Sequence, residues 1–255
     1  MKVVILAGGL GTRISEESHL KPKPMIEIGD EPILWHIMKH YSHYGFNEFI
    51  ICLGYKSFVV KDYFANYYLH TSDVTFDIGN NSVKYLKNEH EPWKVTLAET
   101  GLNTMTGGRI LRIKEYIGNE TFMLTYGDGV SDVNLKELLE FHRSHGKIGT
   151  ITAVSAVQRF GVLGIDGNVV KQFREKKDDD SSTINGGFMV MEPEIFNYLK
   201  DDSTVFENEP LETLSEQGQL MAYRHTGYWQ CMDTQRDKKN LEELWKSGNA
   251  PWKTW

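Results

Sequence analysis

The most constraining feature is a short apolar run, Val3-Val4-Ile5-Leu6, that opens directly into Ala7-Gly8-Gly9-Leu10-Gly11-Thr12-Arg13. Apolar residues at consecutive rather than alternating positions suit a central parallel strand covered on both faces. Three glycines at the carboxyl end of such a strand let the backbone approach a ligand and turn its amides toward one point. That edge of an open α/β sheet is where ligands sit, and an amide nest suits phosphate. A tight strand-to-loop turn with no ligand is the plain alternative. Two named phosphate motifs fail. A Walker A loop needs Gly-Lys-Ser/Thr, absent here, and the dinucleotide fingerprint needs a glycine where Ile14 stands. Lys23 follows between Pro22 and Pro24, whose rings restrict the backbone and can aim the ammonium. A loop carrying two cations and many amides suits a triphosphate better than a dinucleotide.

Strand-like and helix-like segments then alternate. Pro32 to Tyr44 reads as a helix with Ile33, Leu34, Ile37, Met38 and Tyr41 on one face and Gly45 beyond its end. Phe49 to Leu53 is a second buried strand, and Val59, Val60, Tyr63, Phe64, Tyr67 and Tyr68 form another helical stripe. Phe122 to Thr125 is a further strand, followed after Asp132 by a helix carrying Leu135, Leu138 and Leu139. The pattern predicts an α/β fold, Rossmann-like, with a mixed, mainly parallel sheet and helices on both faces. After about residue 148 the texture changes to strands at Ile148–Ala156 and a hairpin of Gly161–Ile165 with Val169–Phe173. A last helix near Asp237–Lys246 carries Leu241, Leu244 and Trp245. The expected organisation is a single domain over 1–255, with a nucleotide-binding half (1–147) and a half with antiparallel strands and a helical tail (148–255).

Composition excludes several partners. Lys plus Arg is 28 against 35 Asp plus Glu, a net charge of −7, so no basic face for nucleic acid or an anionic membrane is expected. No apolar run approaches the ~18 residues of a membrane span. Cys52 and Cys231 read as buried thiols of a reducing, cytoplasmic setting. His36, His40 and His43 share one helical face but read as core edge or surface rather than a metal site. The aromatic tail with Trp245, Trp252 and Trp255 should pack on its own domain or on a neighbouring subunit.

Gly8-Gly9-Leu10-Gly11-Thr12-Arg13 followed by Pro22-Lys23-Pro24 resembles the signature of the sugar-1-phosphate nucleotidylyltransferases. The resemblance runs the length of the chain. Asn185-Gly186-Gly187-Phe188 shares the resemblance, and Thr104-Met105-Thr106-Gly107-Gly108-Arg109 and Tyr126-Gly127-Asp128-Gly129 narrow it to the branch that uses CTP. It implies transfer of a cytidylyl group from CTP to α-D-glucose 1-phosphate, with Mg²⁺ and a homo-oligomer, hexameric in such relatives. The same reaction with UTP or dTTP, a nucleotide-sugar glycosyltransferase and a catalytically inactive relative are the alternatives.

Joining two anions and expelling pyrophosphate calls for positioning and electrostatic stabilisation rather than a side-chain nucleophile. The resemblance implies that Arg13, Lys23 and Asp128 carry the catalysis. It implies nucleotide contacts along Leu6, Ala7, Gly8, Gly9, Leu10, Gly11, Thr12 and Arg13, at Lys23, and at Thr104, Gly108 and Arg109. Asp128 and Asp233 match the metal ligands, although Asp128 alone could be a turn residue and Asp233 the N-cap of the last helix. Glu175, Lys176, Asn185 and Gly186 match the sugar-phosphate subsite; Lys177 competes with Lys176 within an ordinary charge run. For the base, Glu99, Thr100 and Gly101 join Thr104–Arg109 as candidates, while Arg109 could also be a helix-surface residue.

Overall fold

The computed structural model describes residues 1–11, 14, 19–86, 90–156, 162–174 and 182–255. Ten of their strands form one sheet. In chain order they are β1 (Lys2–Leu6), β2 (Glu48–Leu53), β3 (Lys94–Glu99), β4 (Phe122–Tyr126), β5 (Gly149–Ala156), β6 (Val162–Asp166), β7 (Val169–Arg174), β8 (Ser182–Asn185), β9 (Met189–Met191) and β10 (Leu220–His225). Their order across the sheet is β8-β6-β7-β10-β5-β9-β4-β1-β2-β3. β3, β2, β1 and β4 run parallel, and β5 and β10 share their direction, whereas β9, β7 and β8 oppose it. The sheet is mixed and mainly parallel, as the apolar runs predicted.

β1 lies at the centre, between β2 (Val3↔Phe49) and β4 (Val3↔Met123). Because successive side chains point to opposite faces, Val3 and Ile5 enter one core and Val4 and Leu6 the other. The first core is covered by helices α1 (Ile33–His43), α3 (Leu135–His145) and α4 (Gln235–Lys246). The second is covered by α2 (Thr106–Arg112) and the helix Glu209–Glu216. The five apolar residues predicted for α1 are all buried.

One detail differs from the sequence reading and two go beyond it. The stripe from Val59 to Tyr68 is two helices, Ser57–Ala65 and Tyr67–Thr71, parted at Asn66, whose amide side chain donates to the Asp62 carbonyl. α3 is capped by Asn134, which accepts from the amides of Lys136 and Glu137. The antiparallel strands of the second half do more than extend the sheet. β8 bonds back to β5 (Ala153↔Asn185), so β5, β10, β7, β6 and β8 close into a ring. Within it β6 and β7 form the predicted hairpin, turning through Gly167 at φ +62°.

The aromatic tail packs on its own chain. Trp252 is fully buried, stacked on Tyr228 and Trp245, and its Nε1 donates to His36 Nδ1 at 3.4 Å. His36 Nε2 donates in turn to the Ile28 carbonyl at 2.9 Å. Both ring nitrogens of neutral His36 are thus used, one as acceptor and one as donor, and His40 pairs with Thr254 through Nδ1. This confirms the core reading for His36 and His40; His43 is exposed. Burial pushes the His36 imidazole down to about 4 and that of His40 to about 3.

A histidine held neutral when folded binds its proton more readily when unfolded, so its contribution is complete above about pH 6.5 and fades as pH falls toward 4. For His36 alone the loss is about 3 kcal/mol. Urea unfolding at pH 7 and at pH 4.5 should show this decline, and His36→Gln should flatten part of it. An unchanged slope in the variant would contradict the assignment.

Candidate active site

Two carboxylates distant in sequence meet through a short ribbon. Gly129–Ser131 pairs antiparallel with Trp229–Cys231 (Gly129↔Cys231), and the Met232 amide donates to the Asp128 carbonyl at 2.8 Å. Asp128 therefore precedes one strand of the ribbon and Asp233 follows the other. The N-cap of α4 is Thr234, locked by a capping box with Asp237. Asp233 is thereby released from the capping role that its position suggested.

Between these acids lies Lys23, in a single 3-10 turn (Lys23–Met25) set by the flanking prolines. Its Nζ donates to Asp128 Oδ2 at 2.6 Å and also to Asp233 Oδ1. Lys23 is 9% exposed and Asp233 3%. Burial works against the ammonium, but the two carboxylates outweigh it and raise the Lys23 pKa, keeping it charged. The Gly127 amide donates to the Leu6 carbonyl at 2.9 Å, tying Asp128 to the start of the glycine loop.

These groups open on a cleft of about 440 Å³, a size that suits a nucleotide. Leu6, Ala7, Gly8, Gly9 and Gly11 line one side, Thr104, Met105, Thr106 and Arg109 another, and Tyr126 to Asp128, Lys23, Pro24 and Asp233 the floor. Among the expected nucleotide contacts, Leu10 is exposed and lies outside this lining. Thr12, Arg13, Glu175, Lys176 and Lys177 lie outside the described residues.

Arg109 is not a helix-surface residue. It is 4% exposed, and its terminal nitrogens donate to the carbonyls of Gly8 (3.0 Å), Leu53 (3.1 Å) and Gly101 (2.7 Å) and to Thr100 Oγ1 (2.8 Å). One planar fork thus fixes the ends of three loops. Two glycines follow from it. A Cβ on Gly8 would stand 2.1 Å from Arg109 Nη1, and one on Gly54 2.6 Å. Arg109 borders the cleft, but in this geometry it shapes the loop that a nucleotide would meet. Thr100 is buried in the same network, while Glu99 pairs with Lys61 at 2.5 Å.

Gly108 stands outside the cleft lining and faces the loop at 201–204, where a Cβ would lie 2.6 Å from Asp202 Cα. The amides of Met105, Gly107 and Gly108 donate to the Asp202 and Thr204 carbonyls, so the start of α2 has spent these donors on protein.

Asn185 and Gly186 stand at the end of β8, beside the cleft rather than in its lining. Asn185 Oδ1 accepts from the Gly187 amide at 3.0 Å, and Trp229 Nε1 donates to the Gly186 carbonyl at 2.6 Å. Sequence reasoning placed Tyr126 in the Tyr126–Gly129 motif without giving it a role, and overlooked Glu207. Tyr126 lines the cleft, and its hydroxyl donates to Glu207 at 2.6 Å. Nothing local in the sequence marks Glu207.

Replacing Arg109 by Met would leave buried carbonyls without a donor. Unfolding free energy should fall by about 2–4 kcal/mol, a few times the ~1–3 kcal/mol scale of one orphaned group at its low end. A variant as stable as the parent in urea titration would show that the guanidinium does not hold these loops.

A sequence model of the nucleotidyl transferase family matches residues 2–237. The glucose-1-phosphate cytidylyltransferase of Salmonella typhi is 55% identical over 256 residues, covering all of both chains. A probable glucose-1-phosphate cytidylyltransferase of Bacillus subtilis is 46% identical over the same span. Among solved structures, HddC from Yersinia pseudotuberculosis superposes with a TM-score of 0.75 at 26% identity, covering 96% of this chain and 99% of its own. On these matches and this cleft, the chain belongs to the nucleotidyl transferase family, alongside its glucose-1-phosphate cytidylyltransferases.

Proposed function

We propose that the cleft joins CTP to α-D-glucose 1-phosphate, releasing CDP-glucose and pyrophosphate. The observation that carries this reading is the meeting of Lys23, Asp128 and Asp233 beneath the glycine loop, in a chain so similar to cytidylyltransferases. A hexosyl phosphate oxygen attacks the α-phosphorus in line; the new P–O bond forms as the bond to the β-phosphate oxygen breaks, and pyrophosphate departs. The obstacle is repulsion between anions, so the site's task is to neutralise and align. Lys23 supplies a permanent charge at the triphosphate, and the amides of Gly8, Gly9 and Gly11 offer donors along it. Arg13 would hold the leaving pyrophosphate. Asn185 and Gly186, with Glu175 and Lys176, would receive the hexosyl phosphate.

Family members commonly use a divalent metal, and the acids here fit one. Asp128 and Asp233 both aim at a single point that a cationic nitrogen now occupies, and their hard oxygen donors suit Mg²⁺. Bound there, the ion would offset charge on the phosphate oxygens. No group of three or more candidate metal-binding residues occurs among the described residues, so substrate and water would complete the coordination.

The two halves, 1–147 and 148–255, would act as one domain with the cleft between nucleotide and sugar sides. A cytoplasmic setting agrees with two free, buried thiols. No helix among the described residues is long and apolar enough to cross a membrane. A homo-oligomer, hexameric by likeness to relatives, agrees with the hairpin Asp73–Asp77 and Ser82–Leu86. It exposes Phe76, Val83 and Tyr85, with Ile78 at its turn 84% exposed.

Pyrophosphate release with glucose 1-phosphate and each of CTP, UTP, dTTP, ATP and GTP tests the reading: CTP should lead by at least about tenfold, the net worth of one hydrogen bond. A lead for UTP or dTTP would reassign the base. Lys23→Ala and Asp128→Ala should each lower turnover by at least about 10²-fold, the usual scale for losing one electrostatic contact. Near-parental turnover in either would remove that residue from the mechanism.

A further inference from the structure

The turn that follows β8 holds a peptide between two glycines. Gly187 stands at φ +75°, and with no Cβ at either end the Gly186–Gly187 peptide can face its carbonyl to one side or the other at little cost. The flanks of the turn are fixed. The Gly186 amide donates to the Thr152 carbonyl at 2.8 Å, and the Phe188 amide to Thr125 Oγ1 at 3.4 Å. Side chains set the peptide between them. Its carbonyl accepts from Trp229 Nε1 at 2.6 Å, and its N–H donates to Asn185 Oδ1 at 3.0 Å. An indole N–H only donates, so the carbonyl must face Trp229. In a trans peptide the N–H then points the opposite way, where only an acceptor suits it. The Asn185 carbonyl oxygen answers that N–H, which leaves the amine end of the amide for other acceptors. Were the peptide to turn over, its carbonyl would face Asn185 and the amide would have to reverse.

From this we propose that Trp229 is a positioning residue: by holding the Gly186 carbonyl it fixes the Gly186–Gly187 peptide and, through it, the polarity of the Asn185 amide, whose amine then donates to an acceptor oxygen of the hexosyl phosphate. This rests on the assignment of Asn185 to the sugar-phosphate side made above. Trp229 acts through the peptide and not on the reacting atoms. Its place in the ribbon gives the contact a second consequence. Trp229 pairs with Ser131 on the strand that leads to Asp233, and its Nε1 lies 3.9 Å from where a Gly129 Cβ would stand, beside Asp128. The turn in its turn backs the cleft wall, since a Gly187 Cβ would stand 3.1 Å from the Tyr126 ring. The strand that delivers one carboxylate therefore also sets the donor on the sugar side.

Steady-state kinetics of four variants test this: Trp229→Phe, benzothienylalanine in place of Trp229, Asn185→Ala, and Asn185→Ala combined with Trp229→Phe. Benzothienylalanine exchanges only the indole N–H for sulfur. Both changes at position 229 should raise KM for glucose 1-phosphate about tenfold, the worth of one hydrogen bond, with KM for CTP changed less than about twofold. The double variant should be no worse than Asn185→Ala alone, because both changes break one chain. No rise with the position-229 changes, equal rises in both KM values, or additive effects in the double variant would mark a merely structural role and overturn the proposal. If Trp229→Phe does not fold, benzothienylalanine decides alone, since it keeps the size and shape of the ring. No rise in Asn185→Ala would overturn the proposal together with the sugar-side assignment of Asn185. Parental turnover of CTP with glucose 1-phosphate, measured first, separates these outcomes from a mistaken reaction, and its absence would overturn both readings.

Discussion

The site depends on one ammonium held between two carboxylates. Asp128 and Asp233 reach the same point from opposite strands of a two-stranded ribbon, where like charges would otherwise repel. Lys23 removes that difficulty by donating to both. Its burial is tolerable only because both partners are present, as a buried charge without one would be strongly destabilising. The apo site is therefore already arranged for a cation. When two phosphorylated substrates bring their own negative charge, they meet a positive charge already in place, whose ammonium can pass from the carboxylates to phosphate oxygens.

A second cation organises the rest of the cleft in a different way. Arg109 has no carboxylate partner among its hydrogen bonds and instead gathers backbone carbonyls from three loops that end β1, β2 and β3. Its guanidinium occupies the space beside Gly8 and Gly54, so a side chain at either position would displace it. Lys23 thus supplies charge to the chemistry, and Arg109 supplies shape to the loop. Further back, the loop through Asp202, Thr204 and Glu207 consumes the donors at the start of α2 and holds Tyr126.

What the sequence disclosed follows from how local each signal is. Val3 to Gly11 could be read directly, because strand, covering and loop are all encoded in consecutive residues. α1 was equally plain from its apolar spacing and flanking Pro32 and Gly45. Asp233 was ambiguous because Asp233 and Thr234 are adjacent and either can cap a helix; only the capping box with Asp237 decides between them. Arg109 was legible as helical but not as buried, since its partners lie at Gly8, Leu53 and Gly101, brought close by the sheet alone. Gly108 was expected at the nucleotide by resemblance; the lack of a side chain at Gly107 and Gly108 answers to the backbone at Asp202 and Thr204. Glu207 could not have been found at all, because its significance lies entirely in hydroxyls 81 and 101 positions away.

The most direct measurement is an anomalous-scattering map from crystals grown with Mn²⁺ and CTP. A single metal peak ligated by Asp128 and Asp233, with the Lys23 ammonium moved onto phosphate oxygens, is the result expected if these acids form the site for the ion. A metal bound elsewhere, with Lys23 still paired to both carboxylates while the nucleotide is in place, would contradict it.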